Sequence, residues 1–483
     1  MTSASEFLSV SFYSSDITGT TYQPSEIVLQ CKKVFKNIIA YDKFDFDGKK
    51  ESMYALRPAF DTVADMIGKG KKVPESLLEI FAQNPEYSAK LDSLINAKDK
   101  VPFKIFDKKN AEKLFGKNLN ISASQLEKFN LCRFSYFCNY GLNVRERQKA
   151  EINPMQYGTI VHYILERFFG EYTKEEYLSL EEDKFQKIVC AYLSEYAVTY
   201  FGEEQLESNS FTYRLKTILD NVMYLMKHIM EELSQSEFFV ADCELKIGED
   251  IPSYTIALPD GHKIAVCGSV DRVDIMQRAD ITYLRIIDYK TGTKQFKLSD
   301  ILYGINLQML LYLHSIETSG GDKYGDIVPA GILYMPATVP YISSDSLKSI
   351  DKLPDELNKK LKMNGLLLKD TEIIHGMDKT DAATYIPVKI KAGEPVSSTS
   401  LATLAEFGKI FKKVDMLIAE MGKNIYNGNI EAKPLKGGHD SCEYCPYDSV
   451  CAYRQSNPIT CFSVDNKTVI EEITNEINGK EEE

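Results

Sequence analysis

The sequence predicts an α/β protein, a mixed central sheet flanked by helices, and three observations carry that reading. First, residues 267–290, CGSVDRVDIMQRADITYLRIIDYK, hold two runs rich in β-branched residues, Val266 to Met276 and Ile281 to Tyr289. They flank the polar segment Gln277 to Asp280, which has turn chemistry. Second, apolar residues recur at helical spacing on both sides of this hairpin. Third, a further strand candidate, Ala330 to Ile342, follows the helix that comes after the hairpin. A strand–hairpin–helix–strand order builds a mixed α/β core.

Composition bounds the rest. A chain of 483 residues exceeds one ordinary core and implies two or three domains. Hydrophobic content of 44% with 26% charged residues is typical of a globular protein. No apolar run is long enough to span a membrane, and Met1 opens no signal-peptide pattern, so a cytoplasmic location without membrane partners is expected. A net charge of −13 excludes a general polyanion binder and restricts any nucleic-acid contact to a local patch. Ten cysteines in such a chain are expected to be reduced, buried or metal-bound.

The hairpin gathers chemistry. Closing its loop at about 278–281 sets Asp271 opposite Asp288, and period-two alternation puts Lys290 on the same face. Two carboxylates suit a hard divalent cation such as Mg²⁺. Such an ion polarises a phosphoryl oxygen and acidifies water, and a lysine beside it stabilises developing charge. A lone D…DxK is more often a surface hairpin with a salt bridge, so the flanking segments decide.

Taken in order, residues 1–120 carry few motifs. Pro24 to Ala40 and Pro74 to Gln83 have helical spacing, while Lys69 to Lys72 and Phe103 to Lys117 are basic and read as solvated faces. The apolar patterning is too sparse for a complete domain. In 121–137, Ser122 or Ser124 caps a helix from Gln125, and Cys132 follows among aromatic residues. Tyr157 to Phe168 is a packed helix, with Gly158 allowing close approach. His162 on it is either a structural histidine beside Glu166 or a third metal ligand, and imidazole would broaden the preference toward Mn²⁺. Residues 173–235 form two or three amphipathic helices, and Ala241 to Ile247 is a strand from which Glu244 either points into the site or, the preferred reading, has a structural role.

Beyond the hairpin, Lys294 and Lys297 are placed to meet phosphates. A helix from Ser299, its cap, to Ile316 puts Gln308 and Tyr312 on one face, suited to holding a nucleic-acid backbone or simply to surface hydrogen bonding. Residues 345–385 read as an irregular insertion with short helices, Tyr385 to Ile390 as a strand and Ser400 to Tyr426 as a long helix. The tail from residue 457 to 483, acidic and poor in apolar residues, reads as disordered.

Near the end lies a second strong pattern, Cys442, Cys445 and Cys451 in CEYCPYDSVC. Three thiolates need a fourth, and Cys132 is preferred to Cys138 and Cys461. Four cysteines hold either a 4Fe-4S cluster or Zn²⁺, and spacing does not choose. Joining Cys132 to the C-terminal trio closes a loop of several hundred residues, as a staple would.

The ordered set SASQLEKFNLC, YGTIVHYILERFF, GSVDRVDI, IIDYKTG, YGINLQMLLYL, LKMNGLLL and CEYCPYDSVC resembles the AddB family over about residues 120–455. AddB proteins belong to the bacterial AddAB ATP-dependent helicase/deoxyribonucleases, and the resemblance is to their C-terminal nuclease domain. It implies a RecB-type PD-(D/E)XK nuclease core at 121–456 with helical insertions and an iron–sulfur staple, residues 1–120 being a remnant of a helicase-like region or a linker. It implies His162, Asp271, Asp288 and the Tyr289 carbonyl as ligands of Mg²⁺ or Mn²⁺, with Lys290 catalytic. Gln308 and Tyr312 match the family's QxxxY motif, and Cys132, Cys442, Cys445 and Cys451 match its 4Fe-4S ligands. It further implies exonucleolytic cutting of single-stranded DNA during break repair and recombination, beside an AddA-like helicase–nuclease partner. Two departures stand out: Arg133 replaces a proline common after the first cluster cysteine, and no GxxxxGK[ST] loop is present, so this chain alone is not expected to hydrolyse ATP. A catalytically silent DNA-binding scaffold and a free-standing four-cysteine CRISPR-type nuclease are the alternatives.

Overall fold

The computed structural model describes residues 23–35, 55–68, 71–96, 104–105, 107–145, 154–201, 209–292, 295–339, 353–380, 382–397, 399–451, 453 and 458–481. Lys294, with much of the Lys69 to Lys72 run and the end of the Ala330 to Ile342 strand, lies outside these residues. The chain forms two compact units, Met1–Val101 and Pro102–Glu483.

The first unit is helical, with helices Glu26–Val34, Leu56–Gly68, Glu75–Gln83 and Ser88–Asn96. The last three share a small core of Ala59, Phe60, Val63, Phe81, Tyr87 and Leu91. Phe60, Phe81 and Tyr87 pack ring against ring at 4.8–5.6 Å. Three aromatic residues thus supply a core that sparse patterning did not suggest.

The second unit is built on a six-stranded mixed sheet. Its strands are β1 (Phe239–Ile247), β2 (Gly268–Arg278), β3 (Ile281–Lys290), β4 (Asp326–Pro336), β5 (Asn364–Leu368) and β6 (Leu401–Ala402), in spatial order β6-β5-β4-β3-β2-β1. β3–β4 and β5–β6 pair parallel and the other neighbours antiparallel. The β2–β3 hairpin has the expected register, Arg272 against Ile287 through Arg278 against Ile281. Its two-residue turn puts Ala279 at φ +50°.

The helices that matter for the site are α1 (Ala123–Leu131), α2 (Pro154–Glu171), α3 (Asn209–Ser234), α4 (Gln308–Ser319), α5 (Leu404–Tyr426) and α6 (Asn466–Glu481). Ser122 caps α1 by accepting from the Gln125 N–H. Thr403 and Glu406 form a capping box at the start of α5.

Four expectations need correction. The helix predicted from Ser299 is broken: Ser299 is buried in a 3₁₀ turn, Leu298–Tyr303, and α4 begins only at Gln308. Gly304 and Asn306, at φ +70° and +59°, interrupt the helical path. The 345–385 stretch contains a true sheet strand, β5, inserted between β4 and β6; four buried residues in a row concealed it, since a strand covered on both faces shows no alternation. The strand expected at Tyr385 to Ile390 shrinks to Lys389–Lys391. The tail is no frayed end either. Val469, Ile473 and Ile477, four apart, put an apolar stripe of α6 into the main core, and Lys413 of α5 donates to Glu476. Overall composition diluted that stripe.

Candidate active site and cysteine cavity

Three neighbouring strands deliver three carboxylates to one end of the sheet. The β2–β3 register extends by one position to set Asp271 beside Asp288, and the β1–β2 register sets Glu244 across from Asp271. Lys290 Nζ lies 2.6 Å from Asp288 Oδ2. The Tyr289 backbone N–H donates to Asp271 Oδ2 at 2.9 Å, tying the two strands together at the site. His162, from α2, approaches Glu244 Oε1 at 3.0 Å and Asp271 Oδ2 at 3.7 Å through Nδ1. Among the described residues, His162, Glu244 and Asp271 are the only trio of metal-ligating side chains whose donor atoms lie within 4.8 Å of one another.

Glu244 therefore belongs to the site, against its reading as a structural residue. Its backbone sits at φ +50°, unusual for a side-chain-bearing residue in a strand, and a bulge falls between Val240 and Asp242. The alternation on which a strand reading depends fails at such a point. Ser269 Oγ holds the second Glu244 oxygen at 2.8 Å. Gly158, in contrast, makes no close approach; a Cβ there would meet Thr291 at an ordinary 3.7 Å.

The electrostatics are those of crowded like charge. Burial, and then the charge of Asp288, push the Asp271 carboxyl up to about 7. Burial alone would lower His162, but its hydrogen bond to Glu244 and the charges of Asp271, Glu244 and Asp288 raise it. Burial would raise Glu244, yet hydrogen bonds from His162 and Ser269 hold it below the usual carboxylate range. Oxygen donors with one imidazole fit a divalent metal ion.

Helix α4 closes one side. Gln308 opens it, and Tyr312, one turn on, is buried, its hydroxyl pushed up to about 12 by burial. The Tyr312 hydroxyl occupies the space a Cβ on Gly268 would need, so glycine is required at the start of β2. Lys297 is exposed at the edge of the 3₁₀ turn.

The opposite face of the hairpin holds a second group of charges that no sequence pattern announces. Arg272 and Arg285 bind Asp274 and Glu232 through hydrogen bonds of 2.6–3.0 Å, and all four side chains are fully buried. Arg272 also reaches the Tyr289 hydroxyl at 3.4 Å.

The four predicted cysteines meet. Cys132, Cys442, Cys445 and Cys451 line one cavity of about 140 Å³ together with Phe134, Pro434 and Tyr453. Cys138 packs beside Cys132 in the adjoining apolar cluster, and Cys461 lies apart with Ile305 and Leu435. Burial pushes the Cys132 thiol up, opposed by the backbone N–H groups of Ser135 and Phe134.

Residues 120–452, most of the chain, match the PD-(D/E)XK nuclease superfamily. The chain belongs to that superfamily. Its mixed six-stranded sheet is accordingly that of a PD-(D/E)XK core, and Asp271, Asp288 and Lys290 lie within the matched span. Curated relatives include proteins named as a subunit of an ATP-dependent helicase/deoxyribonuclease. The chain is 31% identical to that of Clostridium acetobutylicum over 484 residues, covering 94% of this chain and 41% of the relative. It is 33% identical to that of Clostridium botulinum, strain Loch Maree, with the same shares, and 31% identical to that of Clostridium kluyveri over 100% of this chain and 44% of the relative. The chain thus spans about two fifths of the length of these relatives. No helix among the described residues is long and apolar enough to cross a membrane.

Proposed function

We propose that this chain is a metal-dependent deoxyribonuclease module that hydrolyses phosphodiesters of single-stranded DNA. It would work beside an AddA-like helicase–nuclease partner during double-strand-break repair. The observation that carries this reading is the convergence of Asp271, Glu244 and His162 beside Asp288 and Lys290 at one end of the PD-(D/E)XK sheet. The names of the relatives supply the helicase partner and the DNA substrate.

Asp271, Asp288, Glu244 and His162, with the Tyr289 carbonyl, would hold Mg²⁺ or Mn²⁺. The bound ion would polarise a phosphoryl oxygen and lower the pKa of water. Lys290 keeps its ammonium against Asp288 and stabilises negative charge on the transferring phosphoryl group. Gln308 and Tyr312 line up the scissile strand from α4, and Lys297 meets a flanking phosphate. Cys132, Cys442, Cys445 and Cys451 would hold a 4Fe-4S cluster that staples the two ends of the unit.

The test is digestion of end-labelled single-stranded DNA with Mg²⁺ by anaerobically purified chain, with Lys290→Ala alongside. Cutting by the unmodified chain alone is expected. Equal cutting by the variant, cutting that survives EDTA, or no cutting even with a relative's helicase partner added would overturn the reading. A brown chromophore lost in Cys445→Ala is expected for the cluster; a colourless, zinc-bearing protein would overturn that part.

A further inference from the structure

Helix α1 touches the cysteine cavity at one end and the candidate active site at the other. Cys132 is the residue immediately after α1 and lines the cavity. At the opposite end, the Ala123 backbone N–H is near enough to the Tyr312 hydroxyl to oppose the rise that burial causes there. Between them, two side chains grip the approach to α4. Glu127 Oε1 accepts from the Leu307 N–H at 2.8 Å and the Gln308 N–H at 3.4 Å. Asn130 Nδ2 donates to the Gly304 carbonyl at 3.0 Å, and its amide fills the space that a Cβ on Gly304 would need.

These contacts matter because α4 lacks a cap of its own. The residue before it, Leu307, offers no side-chain acceptor. The first N–H groups of a helix need acceptors, and a carboxylate there also complements the helix dipole. Glu127 supplies that acceptor across 180 residues of sequence. It thereby fixes where Gln308 begins the helix and where Tyr312 projects one turn later.

We infer that Glu127 is a positioning residue for Gln308 and Tyr312, setting the start of their helix from the same rod that ends at Cys132. The inference rests on the nuclease reading for its kinetic consequence only; its structural content stands without it. A rod of nine residues spans about 13 Å, short enough to transmit a shift at Cys132 to the α4 cap without an intervening joint.

The experiment compares Glu127→Ala and Glu127→Gln with the unmodified chain, all purified anaerobically. Two readouts are taken: single-stranded DNA cleavage with Mg²⁺, and amide hydrogen exchange of peptides covering 304–312. Glu127→Ala should lower kcat at least tenfold with KM for DNA within twofold, keep the chromophore, and speed exchange at 304–312 at least tenfold. Glu127→Gln, which keeps an acceptor oxygen, should recover most of both. Unchanged exchange at 304–312 in Glu127→Ala overturns the inference whatever the cleavage result. Faster exchange with kcat unaltered in a cutting enzyme overturns the positioning role. Uniformly faster exchange across the sheet also overturns it, because Glu127 would then serve general stability. Should the unmodified chain cut no DNA even with a relative's helicase partner added, the nuclease reading fails while the exchange arm still decides the contact.

Discussion

Asp271 and Asp274 stand three residues apart on β2 and face opposite ways, and their surroundings treat them oppositely. Asp271 faces Asp288 with Glu244 nearby, and its carboxyl is pushed up to about 7 by burial and like charge. Asp274 faces Arg272 and Arg285, which overcome its burial and hold it below the usual range. One face of the hairpin has more negative charge than its own residues neutralise; the other pairs two guanidinium groups with two carboxylates, Asp274 and Glu232. Balanced buried charge serves the scaffold, whereas an excess of one sign marks a place prepared for a ligand of the other sign.

The comparison can be broken by exchanging charge for neutral isosteres. Asp271→Asn should cut single-stranded DNA at least about a thousandfold more slowly, since several kcal/mol of transition-state stabilisation are lost. Its stability without divalent cation should be equal to or higher than that of the unmodified chain, as one repelling charge is gone. A parallel fall in melting temperature would mean that Asp271 belongs to the scaffold. Glu232→Gln should behave in the opposite way, losing about 3–5 kcal/mol because Arg272 and Arg285 are left over-charged in a dry setting. Urea unfolding measures it, and a cost below ~1 kcal/mol would show that the network is easily replaced.

Smaller effects sharpen the contrast. Gly268→Ala drives a methyl into the Tyr312 hydroxyl, so a loss of about 1–3 kcal/mol is expected together with slower cleavage. Normal cleavage by that variant would place Tyr312 outside the machinery. A milder test lies on α4, where His314 stacks on Phe411 and hydrogen-bonds Asp415 and Glu317, with Tyr254 also on Asp415. Burial opposes its charge, but those carboxylates push it up to about 9. The folded value lies above the unfolded one, so this stabilisation is complete below about pH 6.5 and vanishes as pH rises through about 9. Unfolding between pH 6 and 10 should show a loss on the order of 2 kcal/mol that His314→Gln flattens.

Much of this architecture was legible in the sequence, for identifiable reasons. The hairpin register followed from the turn Gln277 to Asp280 and from period two, which no tertiary contact had to supply. The long helices declared themselves by apolar spacing. What escaped notice required knowledge of non-local partners. Glu244 depends on a left-handed residue and a bulge, Glu127 on a helix 180 residues away, and the Arg272–Arg285 network on a glutamate in α3. Gly304 and Asn306 were visible as helix breakers, but the apolar periodicity around them outweighed the signal. Spacing named Cys442, Cys445 and Cys451, aromatic company and the family resemblance added Cys132, and their meeting at one cavity needed the fold.

The two-residue turn of the β2–β3 hairpin has a consequence in time. Its strands need close only a short loop to bring Asp271 to Asp288, and hairpins form within about 1–10 μs. Cys132 and Cys442 are brought together only when the intervening sheet is in place, because contacts distant along the chain close last. Pulse-labelled exchange during refolding should therefore protect the amides of 272–287 before those of 435–437. The carboxylates would be gathered early, and the thiols would meet only as the chain finishes folding.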